Sequence, residues 1–313
     1  VIPSPFLLLH FRRYPPRMTN KKWKKASFWH GRVDLSVTAC HNVRVTSADE
    51  SGDTMSEHIH TTERFKSDLR ALGVGAGDTV MMHASFRSLG GIEGGAAALF
   101  HAFFEVLGED GTLILPAFSY ATVTAEQPLF DQRETPSCVG YLPEFFRTQV
   151  DGVVRSVHAT HSCSLKGKRA NELADGHEKD LTPVGKHSPI AKLPLVGGKI
   201  LILGSHPDHN TSLHGVEELV EPPYLYGCDT VNYVLKTDAG EIRQTARRHG
   251  FQKDGFFYAQ RYARVIDLMT PDEYTHGCVL DADCWLLSAE AVWRRAHEKL
   301  SEDPLFFVDK LPL

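Results

Sequence analysis

Seven histidines fall between positions 158 and 217 (His158, His161, His177, His187, His206, His209 and His214), and Glu217 and Glu218 follow close behind the last. Imidazoles at this density suit two kinds of chemistry. In the first, His158-Ala-Thr-His161 and His214-Gly-Val-Glu217 supply metal ligands at i and i+3, a spacing that shares a helix face. That reading lacks an HExxH pattern and any closely spaced cysteine pair, so it is the weaker. In the second, one histidine acts as a general base oriented by a carboxylate, which requires no metal. The sequence favours this second reading, although any single histidine is by default a surface or satisfied core residue until a motif singles it out.

Other chemistries have less support. The stretch from His83 through Ser85, Arg87 and Ser88 to Gly90–Gly95 runs from an apolar segment into a helix start, where free N–H groups and the dipole attract phosphate. Such a loop suits a pyrophosphate, or simply tight packing. Neither the Walker A pattern nor GxGxxG is present, so nothing points to an ATPase or a dinucleotide dehydrogenase. The nucleophile elbow GxSxG is also missing, and Gly204-Ser205-His206 would be an irregular substitute. Arg70-Ala-Leu-Gly-Val-Gly75 matches the Arg-x-x-Gly-x-Gly of GNAT acetyltransferases, but it ends a helix and precedes a strand, so it reads as a helix C-cap.

The elements that position these residues follow from periodicity. Thr61 or Thr62 can cap a helix over 62–72 that Gly73 stops, and Thr79–His83 is a short apolar run of strand length. Leu99, Phe103, Val106 and Leu107 recur at helical spacing before Gly108, and TLILPAF from Thr112 reads as the next strand, giving a βαβ unit with parallel strands. Lys199–Gly204 is a third apolar strand followed by a polar loop. Asp229–Lys236 alternates as a strand, and Ser288–Leu300 reads as an amphipathic helix with Ser288 as its cap. The expected fold is α/β, three-layer α/β/α with a largely parallel central sheet. Ligands in such folds bind beyond the carboxyl ends of strands, here the loops after His83, Pro116 and Gly204.

Composition bounds the rest. With 313 residues, 42% hydrophobic and 23% charged, the chain has a globular composition and can build a core without disulfide staples. Its six cysteines contain no CxxC pair, which excludes a zinc ribbon and disfavours a disulfide framework, so the cytoplasm is the expected location. No segment approaches the length of an apolar bilayer span. Residues 1–54 carry nine Lys/Arg against four acids, whereas 55–313 carry 25 against 35. An acidic body disfavours nucleic acid and suits a small cationic partner. Residues 1–54 show neither helical nor strand periodicity. We expect them to be a poorly structured extension, with Met55 the natural start of a single domain spanning 55–313; a secretory signal would place the basic cluster before the apolar run, not after it.

The stretches HASFRSLGGIEGG, GTLILPAFSY, FDQRETPSCVGYLPEFFR, RSVHATHS, GKHSPIAKL and NTSLHGVE, in this order, resemble the aminoglycoside 3-N-acetyltransferase family over roughly residues 60–265. The resemblance implies a non-GNAT α/β enzyme that transfers acetyl from acetyl-CoA to the 3-amino group of the 2-deoxystreptamine ring, inactivating the antibiotic, without a metal. By position, His187 in GKHSP is similar to the family's catalytic histidine and Glu217 in NTSLHGVE to its accompanying carboxylate, with His83 or His214 next in line as base. His83, Ser85, Phe86 and Arg87 match the loop that holds the coenzyme, with Thr135, Ser137, Arg155 and Thr211 as weaker candidates. Backbone N–H groups or a serine, Ser85 or Ser188, would serve the oxyanion. Two departures are Ala159, where proline is usual, and Ala84, where a second serine is common. Alternatives left open are a relative acting on a different small amine, a metal-dependent hydrolase and a non-catalytic antibiotic-binding protein. The oligomeric state is not legible.

Overall fold

The computed structural model describes residues 59–313. The extension expected over 1–54 and the start expected at Met55 lie outside the described residues.

The run Thr79–Ala84 (TVMMHA) has no polar alternation, and a strand of that kind must be covered on both faces. It lies at the middle of a seven-stranded sheet whose order is Tyr274–Val279, Ala282–Ser288, Lys199–Leu203, Thr79–Ala84, Thr112–Pro116, Cys163–Gly167 and Val154–Arg155. Thr79–Ala84 pairs in parallel with both neighbours, in register Met81 to Ile114 on one side and Met81 to Ile200 on the other. The expected βαβ unit is therefore present. Within this sheet, parallel pairing is confined to these three central strands; the two strands on each flank join antiparallel.

Seven helices are described: α1 (Thr62–Leu72), α2 (Gly95–Leu107), α3 (Tyr141–Gln149), α4 (Ala170–Ala174), α5 (Pro189–Lys192), α6 (Leu213–Val220) and α7 (Ala289–Glu302). The period-2 alternation of the central strands sorts them onto the two faces. Val80, Met82, Leu113, Leu115, Leu201 and Leu203 pack with Phe65 and Leu69 of α1 and Leu99 and Phe103 of α2. The intervening Met81, Ile114, Ile200 and Ile202 pack with Leu213 and Val216 of α6 and Val292 and Ala296 of α7. Each fully buried side chain of this size contributes on the order of 1.5–3 kcal/mol, so the two clusters dominate the stability of the sheet.

Local signals set the helix ends. The Thr61 side chain accepts from the Arg64 N–H at 3.2 Å, and Gly73 closes α1 at φ 106°. Ser288 caps α7 through the Ala291 N–H at 3.3 Å. Close approach dictates glycine at two positions near the site. Gly204 ends the strand Lys199–Leu203 at φ 66°, and a Cβ there would lie 2.8 Å from the Ala282 Cβ and 2.9 Å from the Ser88 Cβ. In α6, a Cβ on Gly215 would meet the Trp293 ring of α7 at 2.4 Å, so this glycine lets the two helices approach.

A second sheet carries one wall of the site. Tyr226–Thr237, longer than the strand expected over 229–236, pairs in parallel with Leu129–Asp131 and antiparallel with Gly240–His249. Its register shifts between Arg247 and His249, a bulge that re-aims the last side chains of the strand. A third sheet joins Gln252–Lys253, Phe256–Gln260 and Val308–Pro312. Among the described residues, no helix is long and apolar enough to cross a membrane.

Candidate active site

The three parallel strands end on a common cavity of about 1170 Å³. Its walls come from His83 to Arg87 after the first strand, Pro116, Phe118 and Tyr120 after the second, and Ser205, Asp208, His209 and Thr211 after the third. His214 of α6, Arg248 and His249 of the bulged strand, and Tyr262 close it. This is where an open α/β sheet places ligands, since strand ends diverge there and leave helix and loop termini unpaired.

His214 and Glu217 form its best-anchored pair. Their i, i+3 spacing on α6 puts both on one face, and the buried Glu217 Oε2 lies 3.2 Å from His214 Nδ1. The Tyr262 hydroxyl donates to the same carboxylate oxygen at 2.7 Å and lies 2.8 Å from His214 Nδ1; Tyr224 donates to Oε1 at 2.9 Å. Since Tyr262 gives its proton to Glu217, its oxygen accepts from the Nδ1–H. That assigns the proton of a neutral imidazole to Nδ1 and leaves the Nε2 lone pair for the cavity. Burial, followed by the Glu217 charge, pushes both tyrosine hydroxyls well above their ordinary range, so they remain donors.

His187 lies elsewhere. It does not line the cavity, and its Nδ1 is 2.7 Å from Asp180 Oδ1 while its backbone N–H donates to Asp180 Oδ2 at 2.9 Å. Glu217 is thus brought together with His214 and not with His187. The GKHSP element instead builds the start of a short helix: the buried Ser188 Oγ accepts from the Ile190 N–H at 3.2 Å, and Pro189 opens α5. Ser188 is occupied as a cap, which leaves Ser85 as the cavity-lining serine of the two named for the oxyanion.

The coenzyme candidates divide. His83, Ser85, Phe86, Arg87 and Thr211 line the cavity. The buried His83 Nε2 and Thr211 Oγ1 have no hydrogen-bond partner, so both can receive one from a ligand. From the glycine-rich loop, the wall of this cavity includes residues as far as Arg87 and none of Gly90–Gly95. Thr135, Ser137 and Arg155 lie off the cavity. Thr135 Oγ1 accepts from the Asp131 N–H at 2.8 Å, and the Ser137 N–H donates to Glu144 at 2.8 Å. Arg155 is buried with its guanidinium spent on Ser162 Oγ and on the carbonyls of Gln132, Thr135 and Ala117, at 2.5–3.3 Å. It fastens loops together with four of its five N–H donors, away from the cavity.

Of the histidines weighed in the weaker, metal-ligand reading, those of HATH do not share a helix face. Residues 158–161 form a turn, where His158 Nδ1 accepts the N–H groups of Thr160 and His161 at 3.2 and 3.0 Å. His158 stacks on His177 at 4.8 Å, away from His214. His161, in contrast, lines the cavity beside His249, a residue the sequence patterns did not single out.

Burial lowers His83 and His158 to about 3, so both are neutral in the folded protein. Between that value and the unfolded value of about 6.5 the unfolded chain binds protons that the native state does not, and stability falls as pH falls through this window. The urea midpoint is expected to be lower at about pH 5 than at about pH 7.5; an unchanged midpoint contradicts neutral burial of these rings.

The fold and cavity define an α/β protein with a histidine–carboxylate site at the ends of its parallel strands. The model of the aminoglycoside 3-N-acetyltransferase family matches residues 81–301, and the chain belongs to that family. It is 37% identical over 180 residues to aminoglycoside N(3)-acetyltransferase VIII of Streptomyces fradiae, a match covering 52% of this chain and 62% of that protein. It is 30% identical over 263 residues to aminoglycoside N(3)-acetyltransferase III of Pseudomonas aeruginosa, covering 78% of this chain and 93% of the relative. A solved structure of a mutant aminoglycoside acetyltransferase, AAC(3)-IVa, in complex with a gentamicin superimposes with a TM-score of 0.68 at 25% identity, covering 81% of this chain and 93% of that one. The family resemblance read from the ordered motifs is borne out, as is its non-GNAT α/β class.

Proposed function

We propose that the protein transfers acetyl from acetyl-CoA to the 3-amino group of the 2-deoxystreptamine ring of an aminoglycoside, in the cytoplasm, with His214 as general base. The observation that carries this is the imidazole held on the cavity wall through Nδ1 by Tyr262 and Glu217. An ammonium has no free lone pair, so the acceptor reacts as the amine. As its nitrogen bonds to the thioester carbon, His214 Nε2 takes the proton, and Glu217 stabilises the imidazolium that forms. The carbon–sulfur bond then breaks, and the thiolate leaves with a proton returned from His214. Arg87 offers a cation for the coenzyme's phosphates, while the unpartnered His83 Nε2 and Thr211 Oγ1 suit its amide-rich arm. Ser85 and nearby backbone N–H groups are the candidate oxyanion donors.

One observation favours a second acceptor class. Among the described residues lining the cavity, Asp208 is the only one that bears a carboxylate, and Arg87 and Arg248 share the wall with it. A polycationic drug is held best by several carboxylates, so a less charged amine is the alternative acceptor. Free-thiol release from acetyl-CoA, measured with a panel of aminoglycosides and simple amines, separates the two. Release with aminoglycosides supports the first reading, release confined to weakly charged amines the second, and release with no acceptor overturns both.

A further inference from the structure

Three imidazoles converge on the cavity from three separate elements: His161 from the turn before Cys163–Gly167, His214 from α6 and His249 from the bulged end of Gly240–His249. One nitrogen of each lies within 4.8 Å of one nitrogen of each of the others. In each ring one nitrogen is engaged by a neighbouring side chain. His214 Nδ1 contacts Glu217, His249 Nε2 is 2.7 Å from Glu218 Oε1, and His161 Nδ1 is 2.9 Å from Thr160 Oγ1. Three rings, each fixed from behind by a carboxylate or hydroxyl, are the arrangement in which outer partners set the tautomer and raise ligand basicity. His249 Nδ1 is buried and has no partner in the protein, an unsatisfied atom that itself points to a ligand.

We propose that His161, His214 and His249 form a binding site for a divalent transition metal, with Zn²⁺ as the best fit. Three imidazoles match its preference for nitrogen ligands, and the fourth tetrahedral position faces the open cavity. Bonds of about 2.0–2.1 Å bring the ligand nitrogens closer than they now stand, an adjustment within the reach of side-chain torsions. The site draws on residues that neither HATH nor HGVE joins, because His249 arrives from a strand distant in sequence. The consequence for catalysis rests on the proposed function: a metal on His214 Nε2 occupies the lone pair the base requires, so the metal-loaded protein is the inactive form. Metal binding itself does not depend on that reading.

The test uses the chelator-stripped full chain titrated with Zn²⁺ against a chromophoric chelator. The expected result is one equivalent bound, with affinity reduced at least tenfold in His161→Ala and in His249→Ala, both checked for folding by circular dichroism. Glu218→Gln, which changes an outer partner and leaves all three ligands in place, should weaken binding by about 10–100-fold. Co²⁺ in the unaltered protein provides a readout independent of the variants: intense visible absorption, as expected of tetrahedral nitrogen coordination, supports the site. Failure to compete for Zn²⁺, variants that bind like the parent, or a weak octahedral Co²⁺ spectrum would overturn it. Thiol release that persists with one equivalent of Zn²⁺ bound counts against His214 as base while leaving the metal site standing.

Discussion

His214→Ala lowers turnover by about 10²–10⁴-fold with little loss of stability, which is the contribution of a positioned general base. The ring lines the cavity, and its removal leaves Glu217 still bonded to Tyr224 and Tyr262, so no buried carboxylate is orphaned. The measurement is free-thiol release at saturating acetyl-CoA, with urea unfolding of the same preparation. His187→Ala provides the contrast. That ring is held by Asp180 off the cavity, and its loss should leave turnover within a few-fold of the parent. Near-normal turnover in His214→Ala, or a collapse in His187→Ala, reverses the assignment.

Arg155→Ala is expected to destabilise the fold by about 3–5 kcal/mol, because a buried hydrogen-bond network of neutral acceptors loses its central donor. Its guanidinium ties Ser162 and the carbonyls of Ala117, Gln132 and Thr135 together and lies 4.8 Å over the Phe130 ring. Truncation strands the Gln132 and Thr135 carbonyls, each costing about 1–3 kcal/mol if water cannot reach it, while the Ala117 carbonyl keeps the Ser162 hydroxyl. A shift of the urea midpoint measures the loss. Were Arg155 a phosphate ligand, stability would hold and the KM for acetyl-CoA would rise instead.

The contrast between these two residues shows what the chain makes legible. Strand and helix periodicities over 62–116, 199–204 and 288–300 report burial directly, and those elements occur where the pattern puts them. The flanking antiparallel strands were less visible, since Tyr274–Ser288 alternates weakly and turns at Leu280 in a left-handed conformation that no glycine announces. Within the site, Glu217 was legible because NTSLHGVE is a compact element, and its partner stood three residues before it. His187 drew attention through GKHSP, but that motif is explained by Ser188 capping α5 and by Asp180 binding the His187 ring and backbone. Arg155 and His249 show the general limit. An arginine that braces loops and one that binds phosphate are identical in sequence, and a histidine that joins two others across the fold has no local pattern. Only the meeting of distant strands, and the bulge after Arg247, places His249 beside His161 and His214.

With His214 as base, its Nε2 must face the reacting nitrogen. A structure of the protein with coenzyme A and an acceptor amine tests it most directly. The acceptor nitrogen is expected within about 2.6–3.2 Å of His214 Nε2, or one water removed, with the coenzyme sulfur beside it and His187 out of reach. An acceptor nitrogen held against His187, with His214 remote from both substrates, would contradict it.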